Sequence, residues 1–225
     1  MAWKTWVFDC DGVLLNSNKV KCEAMYRAAL PFGADNAKRL VDYHAENGGI
    51  GREIKFRWFF ENVVEPSLEP SHAVDQLLRD YAEELTEGLA RCEIAPGIHE
   101  LAASLKAQGV SMLVVSGAEQ AELRTVLRNR GLAQYFDGIF GSPDTKDEIL
   151  AREIRRSIIT KPALFLGDSR YDHEAASRAG LDFIFISDWT EFSDWKAYCA
   201  DNGIAVLPRI RSVSETLEAK CSIKP

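Results

Sequence analysis

Val7-Phe8-Asp9-Cys10-Asp11-Gly12-Val13-Leu14-Leu15-Asn16-Ser17 is the stretch on which the reading of this chain turns. The apolar residues leading into it, Thr5 to Phe8, read as a buried strand. The strand stops at two carboxylates, Asp9 and Asp11, with Gly12 directly after them. Residues two apart share a face only while a strand continues. Because this one ends, one carboxylate can point forward while the other swings in from the turn. Two acids at the carboxyl end of a strand can hold a divalent cation and divide nucleophilic and acid–base roles between them. A solvated turn can carry the same letters, so their meaning depends on what else the chain brings to this place.

Beyond Ser17 the pattern becomes helical. Val20, Ala24, Met25, Ala28 and Ala29 fall on one face, and Pro31 with Gly33 ends the run. Further helices are predicted over 36–46 and 53–64. Pro66 and Pro70 frame a turn, and Ser71 then caps a long helix with Val74, Leu77, Leu78, Tyr81 and Leu85 at helical spacing. From Ala95-Pro96-Gly97 onward, apolar strands alternate with helices. Strands are predicted over 110–115, 138–141, 163–166, 183–186 and 204–207. Helices are predicted over 98–108, 119–130, 146–157, 172–179 and 192–200. Such alternation implies βαβ units and a parallel sheet, and strands so uniformly apolar imply a sheet covered on both faces. The expected fold class is therefore α/β: a parallel-sheet core of residues 1–15 and 92–225, with an all-helical domain, residues 16–91, inserted after the first strand. In open α/β sheets a ligand lies outside the carboxyl ends of the strands. That rule gathers Asp9, Asp11, Ser116, the 142–146 loop and the 168–172 segment at one site.

The chain of 225 residues is 46% hydrophobic and 27% charged, which suits one or two soluble domains with a real core. Its net charge of -7 argues against nucleic acid or an anionic membrane as the main partner. An anionic substrate stays open, because a local cation can reverse the local field. Cys10, Cys22, Cys92, Cys199 and Cys221 are odd in number and scattered, as expected of reduced thiols in the cytosol. The first strand begins too early to leave room for a signal peptide, and no apolar run reaches membrane-spanning length. A cytoplasmic protein, monomer or homodimer, is expected.

Taken together, these residues resemble the haloacid dehalogenase (HAD) superfamily of phosphatases and phosphomutases, along the whole chain and in order. Asp9-Cys10-Asp11-Gly12-Val13 resembles its first motif, Ser116 in Val114-Val115-Ser116-Gly117 the second, and Lys146 the third. Gly167-Asp168-Ser169-Arg170-Tyr171-Asp172 resembles the fourth; the third departs slightly, since many relatives have Lys-Pro where this chain has Lys146-Asp147. The resemblance implies a Rossmann-like core with a C1-type helical cap, as in phosphoglycolate phosphatases and β-phosphoglucomutase. It implies a Mg²⁺-dependent phosphomonoester hydrolase acting on a small phosphate ester, a sugar phosphate or a phosphoglycolate-like acid. Asp9 would be the nucleophile and Asp11 the acid and then the base. Asp11 would start protonated, its pKa raised by the second carboxylate nearby. Ser116 and the Gly117 backbone would hold phosphoryl oxygens, and Lys146 would balance charge. Asp9, the Asp11 carbonyl, Asp168 and Asp172 would hold or orient the metal. In Gly48-Gly49-Ile50-Gly51-Arg52, which resembles the substrate loop of the cap, Arg52 would grip the distal part of the substrate. Lys55 and Arg57 are secondary candidates for that role.

Other residues read blandly. Cys10 is a small buried filler, and Phe56, Trp58, Phe59 and Phe60 belong to the core of the helical insert. His44, His72, His99 and His173 show no metal-binding spacing among themselves. A sugar phosphomutase would use the same four motifs, and a binding protein without turnover would share the fold. A dehalogenase is disfavoured, because halide needs no general acid and Asp11 supplies one.

Overall fold

A computed structural model describes residues 3–64 and 70–213, apart from the side chains of residues 70–72. Six parallel strands form one sheet: β1 (Thr5–Phe8), β2 (Ser111–Glu119), β3 (Gly138–Ser142), β4 (Ala163–Gly167), β5 (Asp182–Ile186) and β6 (Ala205–Leu207). Their order is β3-β2-β1-β4-β5-β6, so the chain winds outward in both directions from β1. The α/β fold class expected from the sequence is the one observed. Side-chain alternation divides each central strand between two cores. Trp6 and Phe8 join Met112, Val114, Leu164 and Leu166 on one face, under helices α5 (Ile98–Ala107) and α6 (Gln120–Asn129). Val7 joins Leu113, Val115 and Phe165 on the other, under α7 (Lys146–Arg155) and α8 (Arg170–Ala179). Burial on both faces is why these strands read as unbroken apolar runs. Helix α9 (Trp195–Asp201) precedes β6.

Between β1 and α5 the chain forms four helices, α1 (Asn18–Ala29), α2 (Ala34–Glu46), α3 (Arg52–Asn62) and α4 (Pro70–Arg91). They bury a core of their own, with Met25, Leu40, Phe56, Phe59, Leu77, Tyr81 and Leu85 inside. Phe60 belongs to it as well, and Trp58 stacks on Tyr43 with ring centroids 3.6 Å apart. No helix among the described residues is long and apolar enough to cross a membrane.

Several expected boundaries move, three of them for a clear local reason. Helix α4 begins at Pro70, whose fixed φ suits a first helical turn, so Ser71 lies inside the helix instead of capping it. The Ser71 and His72 side chains, Pro66 and Cys221 lie outside the described residues. Helix α8 begins at Arg170, because Ser169 and Asp172 form a reciprocal capping box that makes Ser169 the cap. Strand β2 continues past Ser116 to Glu119 through an irregularity: Val115 pairs with Phe140 and Glu119 with Ser142. The extra residues bend the strand there, at the edge of the site.

Candidate active site

The strand ends converge as the winding requires. Asp9 follows β1, is almost fully buried, and donates its backbone N–H to Leu166 of β4 at 2.9 Å. The chain then folds back, with the Leu14 and Leu15 amides both bonded to the Cys10 carbonyl at 2.9 Å. Gly12 sits in this turn at φ +76°, and a Cβ there would lie 2.0 Å from Asp168 Oδ2. Only glycine allows both the conformation and that approach. Cys10 itself is packed in the sheet core, and burial pushes its thiol pKa well up.

Lys146 is the first residue of α7, positioned by a capping box between Thr145 and Glu148. Its buried ammonium donates to Asp9 Oδ1 at 2.8 Å and also to Asp172 Oδ1. Asp172 is fully buried and accepts from Ser169 Oγ at 2.6 Å and from the Ser169 amide at 3.1 Å. Asp168 Oδ2 accepts from Asn18 Nδ2 at 2.9 Å. Ser116 is buried, with its Oγ 3.4 Å from Asp11 Oδ2 and accepting the Ala118 amide at 3.1 Å. A Cβ on Gly117 would meet the Gly49 carbonyl oxygen at 2.3 Å, so the loop between α2 and α3 lies against the sheet here.

Carboxylate oxygens of Asp9, Asp168 and Asp172 lie within 4.8 Å of one another. Burial raises the pKa of Asp9 to about 7, against the pull of Lys146 and with the push of Asp172 and Asp11. Burial, then Asp9 and Asp172, also push Asp168 well above the ordinary carboxylate range. Three buried acids facing one lysine are short of positive charge, and buried charge is tolerated when paired or bound to a metal. An all-oxygen donor set of this kind fits a hard divalent cation such as Mg²⁺.

Asp11 departs from the sequence-based expectation. Burial pushes its pKa up, but Lys21 outweighs this by charge and by a 2.5 Å bond to Oδ2, helped by Ser17 Oγ at 2.6 Å from Oδ1. The carboxyl is therefore held below its ordinary value and is ionised, instead of being raised by its neighbouring acid. Sequence reasoning missed Lys21, Ser17 and Asn18. Their spacing was the available signal: i, i+1 and i+4 put three polar residues on one flank at the start of an apolar-faced helix.

Arg52, expected to grip the substrate, has a partner within the protein. Both terminal nitrogens of its guanidinium donate to Glu122 Oε2 at 3.0 Å, and the group lies 5.2 Å from the Tyr81 ring centroid. It thus ties α3 to α6 while lining the cleft. Lys55 is buried in the same wall with Nζ 2.9 Å from His44 Nδ1, and burial followed by Lys21 lowers its pKa to about 7. Arg57 points elsewhere, pairing with Glu53 at 2.7 Å on the exposed surface. His99 and His173 contact tyrosines away from the cleft, His173 bonding Tyr198 at 2.8 Å. The cleft is a cavity of about 60 Å³ lined by Asp9, Asp11, Lys21, Arg52, Lys55 and Asp168. Across the Gly49–Gly51 loop a second cavity of about 460 Å³ reaches Lys146, Ser142 and Tyr171.

Known proteins resemble this chain along most of its length. The chain is 25% identical to a phosphorylated carbohydrates phosphatase of Thermotoga maritima over 189 residues, covering 80% of this chain and 82% of that one. It is 28% identical to a phosphoglycolate phosphatase of Pseudomonas fluorescens over 192 residues, covering 80% and 68%. A solved structure from Clostridium acetobutylicum, described as a predicted phosphatase, shares the fold with a TM-score of 0.76 at 18% identity, covering 97% of this chain and all of that one. Residues 6–186, from β1 to the end of β5, match the haloacid dehalogenase-like hydrolases, and the chain belongs to that family.

Proposed function

We propose that this chain is a Mg²⁺-dependent phosphatase of small phosphorylated metabolites, working through an aspartyl-phosphate on Asp9. The observation that carries the reading is the pairing of Asp9 with Lys146 at the mouth of β1, with Asp11 reaching the same cleft from the turn. Asp9 attacks phosphorus, and the bond to the leaving oxygen breaks with its electron pair on that oxygen. Asp11, once protonated, supplies the proton. In the second half Asp11 takes a proton from water, water oxygen attacks phosphorus, and Asp9 is released. Lys21 stabilises the ionised Asp11 that this second half needs. Ser116 and the Gly117 amide hold phosphoryl oxygens, and Lys146 offsets their charge. Asp9, the Asp11 carbonyl, Asp168 and Asp172 would hold Mg²⁺, which when bound neutralises charge on the phosphoryl group.

Residues 16–91 act as a cap over the core of residues 1–15 and 92–225. Closure excludes water and brings Lys21, Arg52 and Lys55 over the catalytic aspartates. The substrates named for the relatives, phosphorylated carbohydrates and phosphoglycolate, are the first to try. The test is phosphate release from a panel of phosphorylated metabolites, with Mg²⁺ and with chelator, for wild type beside Asp9→Asn. Release that needs Mg²⁺ and disappears in Asp9→Asn is expected. Release that survives Asp9→Asn would sink the mechanism. Phosphorylated Asp9 that passes its group to a sugar faster than to water would make the protein a mutase.

A further inference from the structure

A second ligand cluster stands in the wall of the cleft, built from residues the phosphatase reading does not use. Cys22 comes from α1, His44 from α2 and Glu191 from the segment between β5 and α9. The Cys22 sulfur, one ring nitrogen of His44 and one carboxylate oxygen of Glu191 all lie within 4.8 Å of one another. Cys22 Sγ donates to Glu191 Oε2 at 3.0 Å. All three residues are partly buried, and His44 and Glu191 face the cleft, which gives an ion a way in.

We propose that Cys22, His44 and Glu191 form a Zn²⁺ site that clamps the helical bundle to the sheet. The donor set decides the metal. Sulfur and imidazole select borderline transition ions, whereas the oxygen-only cluster of Asp9, Asp168 and Asp172 suits Mg²⁺. Three protein ligands leave a fourth tetrahedral position, open toward the cleft, for water or another small ligand. Binding converts the Cys22 thiol to a thiolate and releases its proton to solvent, so affinity rises with pH. Two ligands belong to the bundle and one to the sheet side, so the bound ion resists their separation and slows turnover.

Lys55 sharpens the test. Its Nζ stands 2.9 Å from His44 Nδ1, an amine in hydrogen-bond contact with the ring of the proposed ligand. Removing that amine tightens Zn²⁺ binding if the site is real, and has no bearing on it otherwise.

The experiment is a Co²⁺ titration of the full chain in saturating Mg²⁺, followed by thiolate-to-cobalt charge-transfer absorption, with Zn²⁺ then competing. Wild type is expected to show the band at one ion per chain. Cys22→Ser should lose it. Because even removing a group that only hydrogen-bonds to a ligand costs about ten- to hundredfold in metal affinity, Glu191→Gln should weaken Zn²⁺ at least about tenfold. Lys55→Met should bind Zn²⁺ more tightly than wild type. No charge-transfer band in wild type, or an unchanged band in Cys22→Ser, overturns the site. Should Cys22→Ser fail to fold, Glu191→Gln decides, since unchanged affinity there is equally fatal. These readouts are of binding, so they hold or fail independently of phosphatase activity.

Discussion

Lys21 reaches Asp11 from the first turn of α1, and in the proposed mechanism the pairing readies the resting carboxylate for the second half of the reaction. Burial alone would raise this acid, and Lys21 with Ser17 reverses the sign. In Lys21→Met burial stays while the opposing charge goes, so the Asp11 pKa rises. The acid limb of kcat, where ionised Asp11 is needed to take the proton from water, should then move to higher pH. A pH–rate profile with an unmoved acid limb would remove Lys21 from this role. The aspartates themselves were legible, because Asp9 and Asp11 sit where an apolar strand stops and a glycine follows. Lys21 was not, because the same letters on an exposed helix face describe an ordinary solvated lysine. What distinguishes it is α1 folding back over the end of β1, a tertiary fact. The Cys22, His44 and Glu191 cluster was hidden for the same reason, since Glu191 lies far along the chain from the other two.

Between elements, the Arg52–Glu122 pair is the point at which α3 of the bundle holds α6 of the sheet layer. Both side chains are mostly shielded from water, and two bonds run to one carboxylate oxygen, so the link is worth about 1–2 kcal/mol. That is roughly a 5- to 30-fold bias toward the arrangement in which α3 and α6 are joined. If the pair is a latch, Arg52→Ala and Glu122→Ala should raise KM by similar factors, roughly tenfold, and combining them should add little more. Exchanging the two residues should restore part of the loss. If Arg52 instead grips the substrate, Glu122→Ala frees the guanidinium, and KM should fall or stay constant. Steady-state kinetics of the four variants separates the two. The sequence placed Arg52 in the loop before a helix, and in the structure it is that helix's first residue and lines the cleft. It could not show the carboxylate waiting on α6, because contacts between two amphipathic helices leave no periodic signature. The bend in β2 was hidden likewise: the apolar run ends at Val115, but backbone pairing with β3 continues beyond it.

At the scale of the whole molecule, the winding of the sheet was the most legible feature, because strands covered on both faces leave continuous apolar runs between helices with clear stops. The same winding imposes a cost that links metal, pH and stability. It drives Asp9, Asp168 and Asp172 together inside the protein, with Lys146 as the cation bonded to two of them. Asp9 is raised from 3.8 to about 7 and Asp168 well above its ordinary value, in both cases first by burial. A carboxyl raised on folding holds its proton more tightly in the folded state. Its contribution to stability is therefore complete below the unfolded pKa of 3.8 and lost as pH rises toward the folded value, near 7 for Asp9. On the proposed function Mg²⁺ takes the ionised forms, and it should then return that stability where it has been lost. Without Mg²⁺ the melting temperature should fall as pH is raised from about 5 to about 8. With Mg²⁺ at roughly a hundred times its Kd, the gain at the upper end should be about 2.7 kcal/mol, a rise of roughly 5–10 °C. Near pH 5 the same Mg²⁺ should do much less, because protons already occupy the carboxylates. Asp168→Asn removes one raised acid and one ligand together, so it should flatten the metal-free pH dependence and abolish most of the Mg²⁺ response. Thermal melts across this pH range, with Mg²⁺ and with chelator, measure all of this without a substrate. A Mg²⁺ shift equal at both ends of the range, or retained in Asp168→Asn, would mean that the cation binds somewhere other than the carboxylates at the strand ends.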